Sequence, residues 1–308
     1  MKFVILGAGA MGCLYGGKLS EAGYDVVLLD VWKDHVEAIN DNGLKIEGIG
    51  GNRVIDGIRA CTDPLLAGEA DIVFVFVKSS YTAEAMESAR CLMGQKTKIL
   101  TLQNGLGNVD VLSSLVGQDR IIAGTTAHGA TLLGPGRIRH AGQGDTIIGT
   151  LNGSNRDSLD ELASCLEQAG FATQLSSNIQ GVLWDKLVVN VGINALTALT
   201  GLTNGALLEY KETEELLEKA VAEALDVGKA KGVRFISSDP AEHVKEVCRK
   251  TSANLSSMLQ DVGNSRKTEI DVINGAIVRE GEGLGVITPV NRVLYNLIKV
   301  KEMRYGSN

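Results

Sequence analysis

The chain has 308 residues, 44% of them hydrophobic and 22% charged, with a formal net charge of −7. Such a composition belongs to a globular protein rather than a disordered one, and the acidic balance with no dense basic run argues against a nucleic-acid surface. The length suits two domains better than a single core.

Residues 3–6 form an unbroken apolar run, as a strand buried on both faces should. They lead into Gly7-Ala8-Gly9-Ala10-Met11-Gly12, then a helical pattern with Leu14, Leu19 and Ala22, ending near Gly23. Residues 25–29 read as a second buried strand that ends in Asp30. Strand, glycine turn, helix, strand and acid follow one another within one βαβ length. Each part has a physical job in holding a dinucleotide. Gly7 permits the tight turn, Gly9 lets backbone approach a pyrophosphate, and Gly12 lets helix pack on strand. The helix N-terminus turns free N–H groups and a positive dipole end toward phosphates. Asp30 is spaced to accept a hydrogen bond from a ribose hydroxyl. An ordinary βα turn without a ligand is the bland alternative, and the agreement of all the flanking features speaks against it.

A helix is expected over 33–42, followed by short alternating segments at 44–47 and 54–60. Residues 71–77 are another buried strand, with Lys78 at its C-terminal end. Residues 98–102 repeat the pattern and end in Gln103-Asn104-Gly105, and 120–126 form the next strand. Helical segments at 82–92 and 108–116 lie between these runs. The alternation implies a Rossmann-type doubly wound parallel sheet, an α/β fold with ligands outside the carboxyl ends of the strands. That rule places the glycine turn, Asp30, Lys78 and Asn104 along one crevice. Residues 136–140 and 145–149 suggest a closing hairpin, and a helix at 157–169 and a strand at 171–175 complete the domain. Strand patterns then vanish. Helices are expected over 179–198, 213–231, 240–250, 254–262, 267–282 and 289–304, with Asp239-Pro240 and Thr288-Pro289 as capped starts. The expected division is a dinucleotide-binding domain at 1–177 and an all-helical, substrate-binding domain at 178–308.

Five dispersed cysteines, Cys13, Cys61, Cys91, Cys165 and Cys248, form no CxxC and suit a reducing cytoplasm. The four histidines, His35, His128, His140 and His243, lack metal-ligand spacing; no metal is expected, and most are expected at the surface. The N-terminus reads as a strand rather than a signal peptide. No apolar run is taken to approach the ~20 residues of a membrane span. Asn152-Gly153-Ser154 fits a glycosylation sequon and reads as a surface turn.

Within the apolar helix pattern of 184–198, Lys186, Asn190 and Asn194 fall at i, i+4 and i+8 and so share one face. Asparagines are poor helix formers. Their alignment with a lysine among Leu187, Val188, Val191 and Ile193 favours a ligand-facing stripe over a solvated one, because buried polar groups need partners. Asn254 and Ser257, three apart, are read as sharing a helix face. Spacing alone does not separate Glu269 from Asp261 or Asp271.

The segments GAGAMG, FVFVKSS, LQNGLG, WDKLVVNVGINALTALTG, NLSSMLQD and RKTEIDVINGAI together resemble the 2-dehydropantoate 2-reductases, or ketopantoate reductases, along essentially the whole chain. The resemblance implies reduction of 2-dehydropantoate to (R)-pantoate by a nicotinamide cofactor, in pantothenate and coenzyme A biosynthesis. It makes Lys186 the catalytic acid and places Glu269 at cofactor and substrate. It assigns Asn190, Asn194, Asn204, Asn254 and Ser257 to the substrate. Lys78, Asn104 and Ala130 match positions that touch the cofactor, beside Gly7, Ala8, Gly9, Ala10, Met11, Gly12 and Asp30. Many members use NADPH and carry a basic residue where this chain has Asp30-Val31. NADH is therefore favoured, since Asp30 would repel a 2′-phosphate. The expected partner is a small 2-oxo acid, with no nucleic acid and no membrane; a homodimer is compatible with the reading. Two rivals are a reductase of another branched 2-oxo acid on the same scaffold and a non-catalytic NAD(P)H-sensing protein. The lysine stripe favours the enzymes, because a sensor needs no proton donor.

Overall fold

The computed structural model describes residues 1–153 and 156–305, so Ser154 of the sequon lies outside the described residues. The chain divides into two compact units, Met1–Gln103 with Asn108–Ile179 and Asn104–Gly107 with Gln180–Asn308.

The first unit runs β1 (Lys2–Leu6), α1 (Ala10–Glu21), β2 (Asp25–Leu29), α2 (Lys33–Asn42), β3 (Leu44–Gly48), β4 (Arg53–Ile55), β5 (Arg59–Cys61), α3 (Pro64–Ala67), β6 (Ala70–Val75), α4 (Thr82–Ser88), β7 (Met93–Thr101), α5 (Asn108–Val116), β8 (Ile121–Thr126), β9 (Gly129–Gly134), β10 (Arg137–Gly142), β11 (Thr146–Gly149), α6 (Arg156–Gln168) and β12 (Thr173–Leu175). Its main sheet has eight strands in the order β12-β11-β8-β7-β6-β1-β2-β5. The chain builds outward from β1 to β2 and β5, then returns to β6 on the other side of β1. The reversal puts a topological switch point at the C-terminal ends of β1 and β6, where doubly wound sheets bind ligands. Phe3, Val4 and Ile5 are fully buried, which is why this strand reads as a continuous apolar run. The doubly wound parallel arrangement holds from β8 to β5. β11 is antiparallel to β8 and β12 is parallel to β11, so these last two strands run the other way.

The hairpin expected from 136–140 and 145–149 does not form. β10 pairs instead with β9, antiparallel, and with β3, parallel, in a second sheet of order β4-β3-β10-β9, while β11 joins the main sheet. Gly134-Pro135-Gly136 makes the tighter turn: both glycines take positive φ, 155° and 65°, and fold β10 back on β9. Three of the four histidines, His35, His128 and His140, are buried rather than at the surface. Each has a buried partner: Gly136 N–H donates to His35 Nδ1 at 3.0 Å, and His128 Nδ1 lies 3.2 Å from His140 Nε2. Burial and the neighbouring imidazole push His128 down to about 4, so this pair stays uncharged at neutral pH.

The second unit is helical: α7 (Ile179–Thr200), α8 (Lys211–Ala230), α9 (Pro240–Lys250), α10 (Ser257–Gly263), α11 (Asn274–Leu284) and α12 (Pro289–Met303). Leu187, Val191 and Leu196 of α7 pack with Leu217 and Val221 of α8, Ile277 of α11 and Leu294 of α12. By length and a mean hydropathy of 1.3, α7 is apolar enough to cross a membrane, contrary to the sequence reading, and 61% of that window is buried. Asp239 caps α9 as expected, accepting from Glu242 N–H at 3.1 Å. The start of α12 differs: the Thr288 side chain makes no cap. Glu223 of α8 takes that place and accepts from Val290 and Asn291 N–H at 2.8 and 2.9 Å. The helix expected over 267–282 is interrupted: a 3-10 turn, Ile270–Val272, is separated from α11 by Ile273 at φ −105°, ψ −99°.

Close packing of α1 on the glycine turn sets a first test. A Cβ on Gly12 would lie 2.0 Å from the Gly7 carbonyl oxygen. Gly12→Ala should therefore cost about 1–3 kcal/mol, the usual penalty of overpacking. Denaturant melts would show this as a lower midpoint, and an unchanged midpoint would mean that the helix shifts freely.

Candidate functional site

The first unit offers backbone rather than side-chain charge. Gly7 takes φ +99°, its N–H donates to Leu29 O at 2.9 Å, and a Cβ there would meet Val77 N at 2.6 Å. Ala8 is buried, and its carbonyl accepts from Cys13 Sγ at 3.0 Å. Gly9, Ala10 and Met11 are half-buried. A Cβ on Gly9 would meet nothing within 4 Å. The turn thus leaves open space at the place where a methyl group would stand. No side chain caps α1 and no acidic residue occupies its first turn, so no protein side chain meets its first N–H groups and the positive end of its dipole. These features fit a pyrophosphate.

At the end of β2, Asp30 donates its N–H to Cys61 O at 3.1 Å and accepts from Trp32 N–H at 3.0 Å through Oδ1. It is half-buried and carries the only acidic side chain between Asp25 and Asp34. Lys78 is exposed just past β6. Ala130 lies on β9 and packs on the core that contains Ala8 and Cys13.

The second unit offers side chains. On α7, Lys186 and Asn190 are half-buried and Asn194 is buried. Asn190 Nδ2 is buried without a hydrogen-bond partner, a state that costs about 1–3 kcal/mol until something accepts from it. Burial lowers Lys186 from 10.5 to about 8, and the Glu269 carboxylate opposes the shift. Glu269 precedes the 270–272 turn and accepts from Asn104 Nδ2 at 3.0 Å. Asn104 follows β7 in sequence but groups with the helical unit, where Leu106 N–H donates to Val272 O at 2.9 Å. Gly105 is needed there: its φ is +82°, and a Cβ would stand 2.4 Å from Val272 O.

Asn204 donates its side-chain amide to Thr251 Oγ1 at 2.9 Å, and its buried Oδ1 has no partner. Its N–H donates to Asn254 O at 3.0 Å. Asn254 and Ser257 do not share a helix face. The helix begins at Ser257, capped by Ser256, whose hydroxyl accepts from Leu259 N–H at 3.0 Å. Both Asn254 and Ser257 are exposed. Thr197 Oγ1 ties that cap to α7 by a 2.7 Å bond to Ser256 Oγ. The sequence reading missed Ser256 and Thr197. A serine two residues before Met258 is a recognisable cap signal, but the bond to Thr197 depends on residues 59 positions apart. Among the described residues no group of three His, Cys, Asp or Glu is assembled to hold a metal.

Two family descriptions cover the chain: "Ketopantoate reductase PanE/ApbA" over residues 3–153 and its C-terminal counterpart over 178–302. The 2-dehydropantoate 2-reductase of Halobacterium salinarum is 38% identical over 304 residues, 98% of this chain and 99% of that one. The chain belongs to the ketopantoate reductase family. A PanE/ApbA family ketopantoate reductase from Ralstonia eutropha JMP134 shares the structure with a TM-score of 0.91 at 35% identity, over 99% of both chains. D-mandelate dehydrogenase, solved with NADH and anilino(oxo)acetate, matches with a TM-score of 0.93 at 28% identity, again over 99% of both. Membership in the ketopantoate reductase family agrees with the two kinds of site chemistry, an open glycine turn at an uncapped helix start and a lysine among amides.

The space above Gly9 gives the second test. Gly9→Ala should leave thermal stability unchanged, because its methyl meets no protein atom. The same methyl would stand between backbone and pyrophosphate and should weaken dinucleotide binding by about 5- to 100-fold, as overpacking does. Calorimetric titration checks this; wild-type affinity would move the phosphates away from the turn.

Proposed function

We propose that this protein reduces 2-dehydropantoate to (R)-pantoate, with the first unit holding the dinucleotide and α7 of the second unit supplying the acid. The observation that carries the reading is Lys186: an ammonium that burial pushes down to about 8, on the same helix face as an asparagine whose buried Nδ2 has no partner. A bound nicotinamide cofactor supplies the hydride to the carbonyl carbon. The carbonyl oxygen then gains negative charge, and the Lys186 ammonium stabilises that charge and delivers the proton. Burial strengthens this interaction, since the same charge is worth more out of water. Asn190 Nδ2 is free to donate to a substrate oxygen, and Asn204 Oδ1 to accept from a hydroxyl. Asn194, Asn254 and Ser257 complete the substrate-holding set. Glu269, oriented by Asn104, keeps Lys186 protonated to higher pH than burial alone would allow. A second reading, reduction of a different 2-oxo acid, is favoured by the likeness to D-mandelate dehydrogenase.

A spectrophotometric assay of NADH and NADPH against a panel of 2-oxo acids tests both readings. Turnover should be greatest with 2-dehydropantoate, and a higher kcat/KM on an aryl 2-oxo acid would select the second reading. In the same assay NADH should be preferred, because the Asp30 carboxylate accepts from a 2′-hydroxyl and repels a 2′-phosphate. Lys33, exposed at the start of α2, is the group that would reduce the margin. A clear NADPH preference would remove this role from Asp30.

Lys186→Ala should lower single-turnover hydride transfer by about 10²–10⁴-fold, the range of a positioned acid. A loss under about threefold would take Lys186 out of the mechanism. Only the protonated lysine is an acid, and its pKa is lowered to about 8, so kcat should be full below that pH and fall as pH rises through about 8. Glu269→Gln removes the carboxylate that raises the lysine, so the same fall should begin at lower pH. An alkaline limb that stays in place in this variant would show that Glu269 does not act through the lysine.

A further inference from the structure

The turn after β2 carries an aromatic pair that the reduction chemistry leaves unused. Trp32 lies two residues beyond Asp30, and its N–H is the donor to Asp30 Oδ1 at 3.0 Å. Its indole is parallel to the His35 imidazole, with centroids 5.2 Å and planes 10° apart. His35 is 1% exposed and engaged through both ring nitrogens: Gly136 N–H donates to Nδ1 at 3.0 Å, and Nε2 lies 3.4 Å from Cys13 Sγ. With both nitrogens engaged the imidazole is held in orientation, and it backs one face of the indole as a fixed plate. Trp32 nevertheless remains 39% exposed and its neighbour Val31 92% exposed. A buried, hydrogen-bonded support under a solvent-facing aromatic ring is more than a cap on α2 requires.

The chemistry of the ligand supplies the other half of the argument. A dinucleotide whose ribose hydroxyls are taken by Asp30 carries its adenine on that same ribose, one glycosidic bond away. The base must then lie within reach of residues next to Asp30. We propose that Trp32 is the adenine platform of the dinucleotide site, with the base stacked on the indole and His35 supporting the ring from behind. This rests on Asp30 receiving the adenosine ribose. Stacking uses the π-face that every base presents. The platform therefore holds a purine without reading its edge, and the 2′ position remains the business of Asp30.

The test uses the full chain and ADP-ribose, which has the adenine but no nicotinamide. ADP-ribose and NADH are titrated into the wild type, Trp32→Ala and Trp32→Phe, followed by calorimetry and tryptophan emission. The chain has two tryptophans, and Trp184 is buried in the helical unit at 2% exposure, so emission that responds to ADP-ribose comes from Trp32. Saturating ADP-ribose should quench wild-type emission by contact. Trp32→Ala should raise Kd for both ligands by the same factor, about 5- to 100-fold, as loss of a base–aromatic stack does. Trp32→Phe keeps an aromatic face and should hold Kd within about fivefold while losing the quench. A purely structural role for Trp32 would not make adenine quench its emission. Wild-type affinity for ADP-ribose in Trp32→Ala, or unquenched wild-type emission at saturation, overturns the platform. Failure of ADP-ribose and NADH alike to bind the wild type overturns the dinucleotide reading with it, an outcome distinct from binding that the substitutions leave untouched.

Discussion

The chemistry proposed for the helical unit rests on the state of one ammonium. Lys186 sits on a helix whose neighbouring side chains are apolar, and the removal of water lowers its pKa to about 8. A cation in such a place is retained only with a compensating charge. Glu269 is that charge, and it is reached through a relay of short-range constraints. Asn104 holds the carboxylate at 3.0 Å, Leu106 N–H fixes the 104–107 segment to Val272 O, and Gly105 permits the approach that any side chain would block. The break at Ile273 follows from the same arrangement. A continuous helix through 267–282 would engage the Val272 carbonyl within the helix, where it is instead free to accept from Leu106.

The dinucleotide unit solves a different problem with different means. In the proposed reading a phosphate is met there by backbone N–H groups and a helix dipole, and the price is packing without side chains. Gly7 and Gly12 stand against each other so closely that a single methyl on Gly12 would lie 2.0 Å from the Gly7 carbonyl oxygen, while Gly9 faces open space. The buried apolar residues of β1 and β6 hold that turn at the switch point. Behind it, Tyr15 stacks on Phe171 with centroids 4.0 Å apart, and its hydroxyl bonds Thr126 and Thr146. Burial raises the Tyr15 pKa to about 12, so this part of the core stays neutral, as does the His128–His140 pair beside it.

These two kinds of chemistry divide the work of a ketopantoate reductase in a physically sensible way. A dinucleotide is large, and an array of fixed dipoles binds its phosphates without a mobile charge. The reacting carbonyl is small and changes charge during reaction, so it needs one group that carries both a proton and a positive charge. In the proposed reading Asp30 and Trp32 add what the turn cannot, a hydrogen-bond acceptor for ribose and a flat surface beside it.

Much of this was written in local sequence. The buried strands, the glycine turn and Asp30 follow from apolar runs and from glycines at fixed offsets, because a βαβ unit is built from contacts close in sequence. The stripe Lys186-Asn190-Asn194 was visible because helical periodicity puts i, i+4 and i+8 on one face. Asp239-Pro240 marked a helix start for the same local reason. What sequence alone left undecided depends on contacts between distant segments. The cap of α12 comes from Glu223, far back in α8, rather than from Thr288. β10 chose β3 and β9 over β11 because sheet partners are set by register and by the tighter turn at 134–136. The singling out of Glu269 over Asp261 and Asp271 by geometry needed Asn104, 165 residues away. The histidines looked like surface residues until their partners across the fold were in place. Only the folded chain could lower the pKa of Lys186, because desolvation is a property of what surrounds a residue and not of its neighbours in sequence.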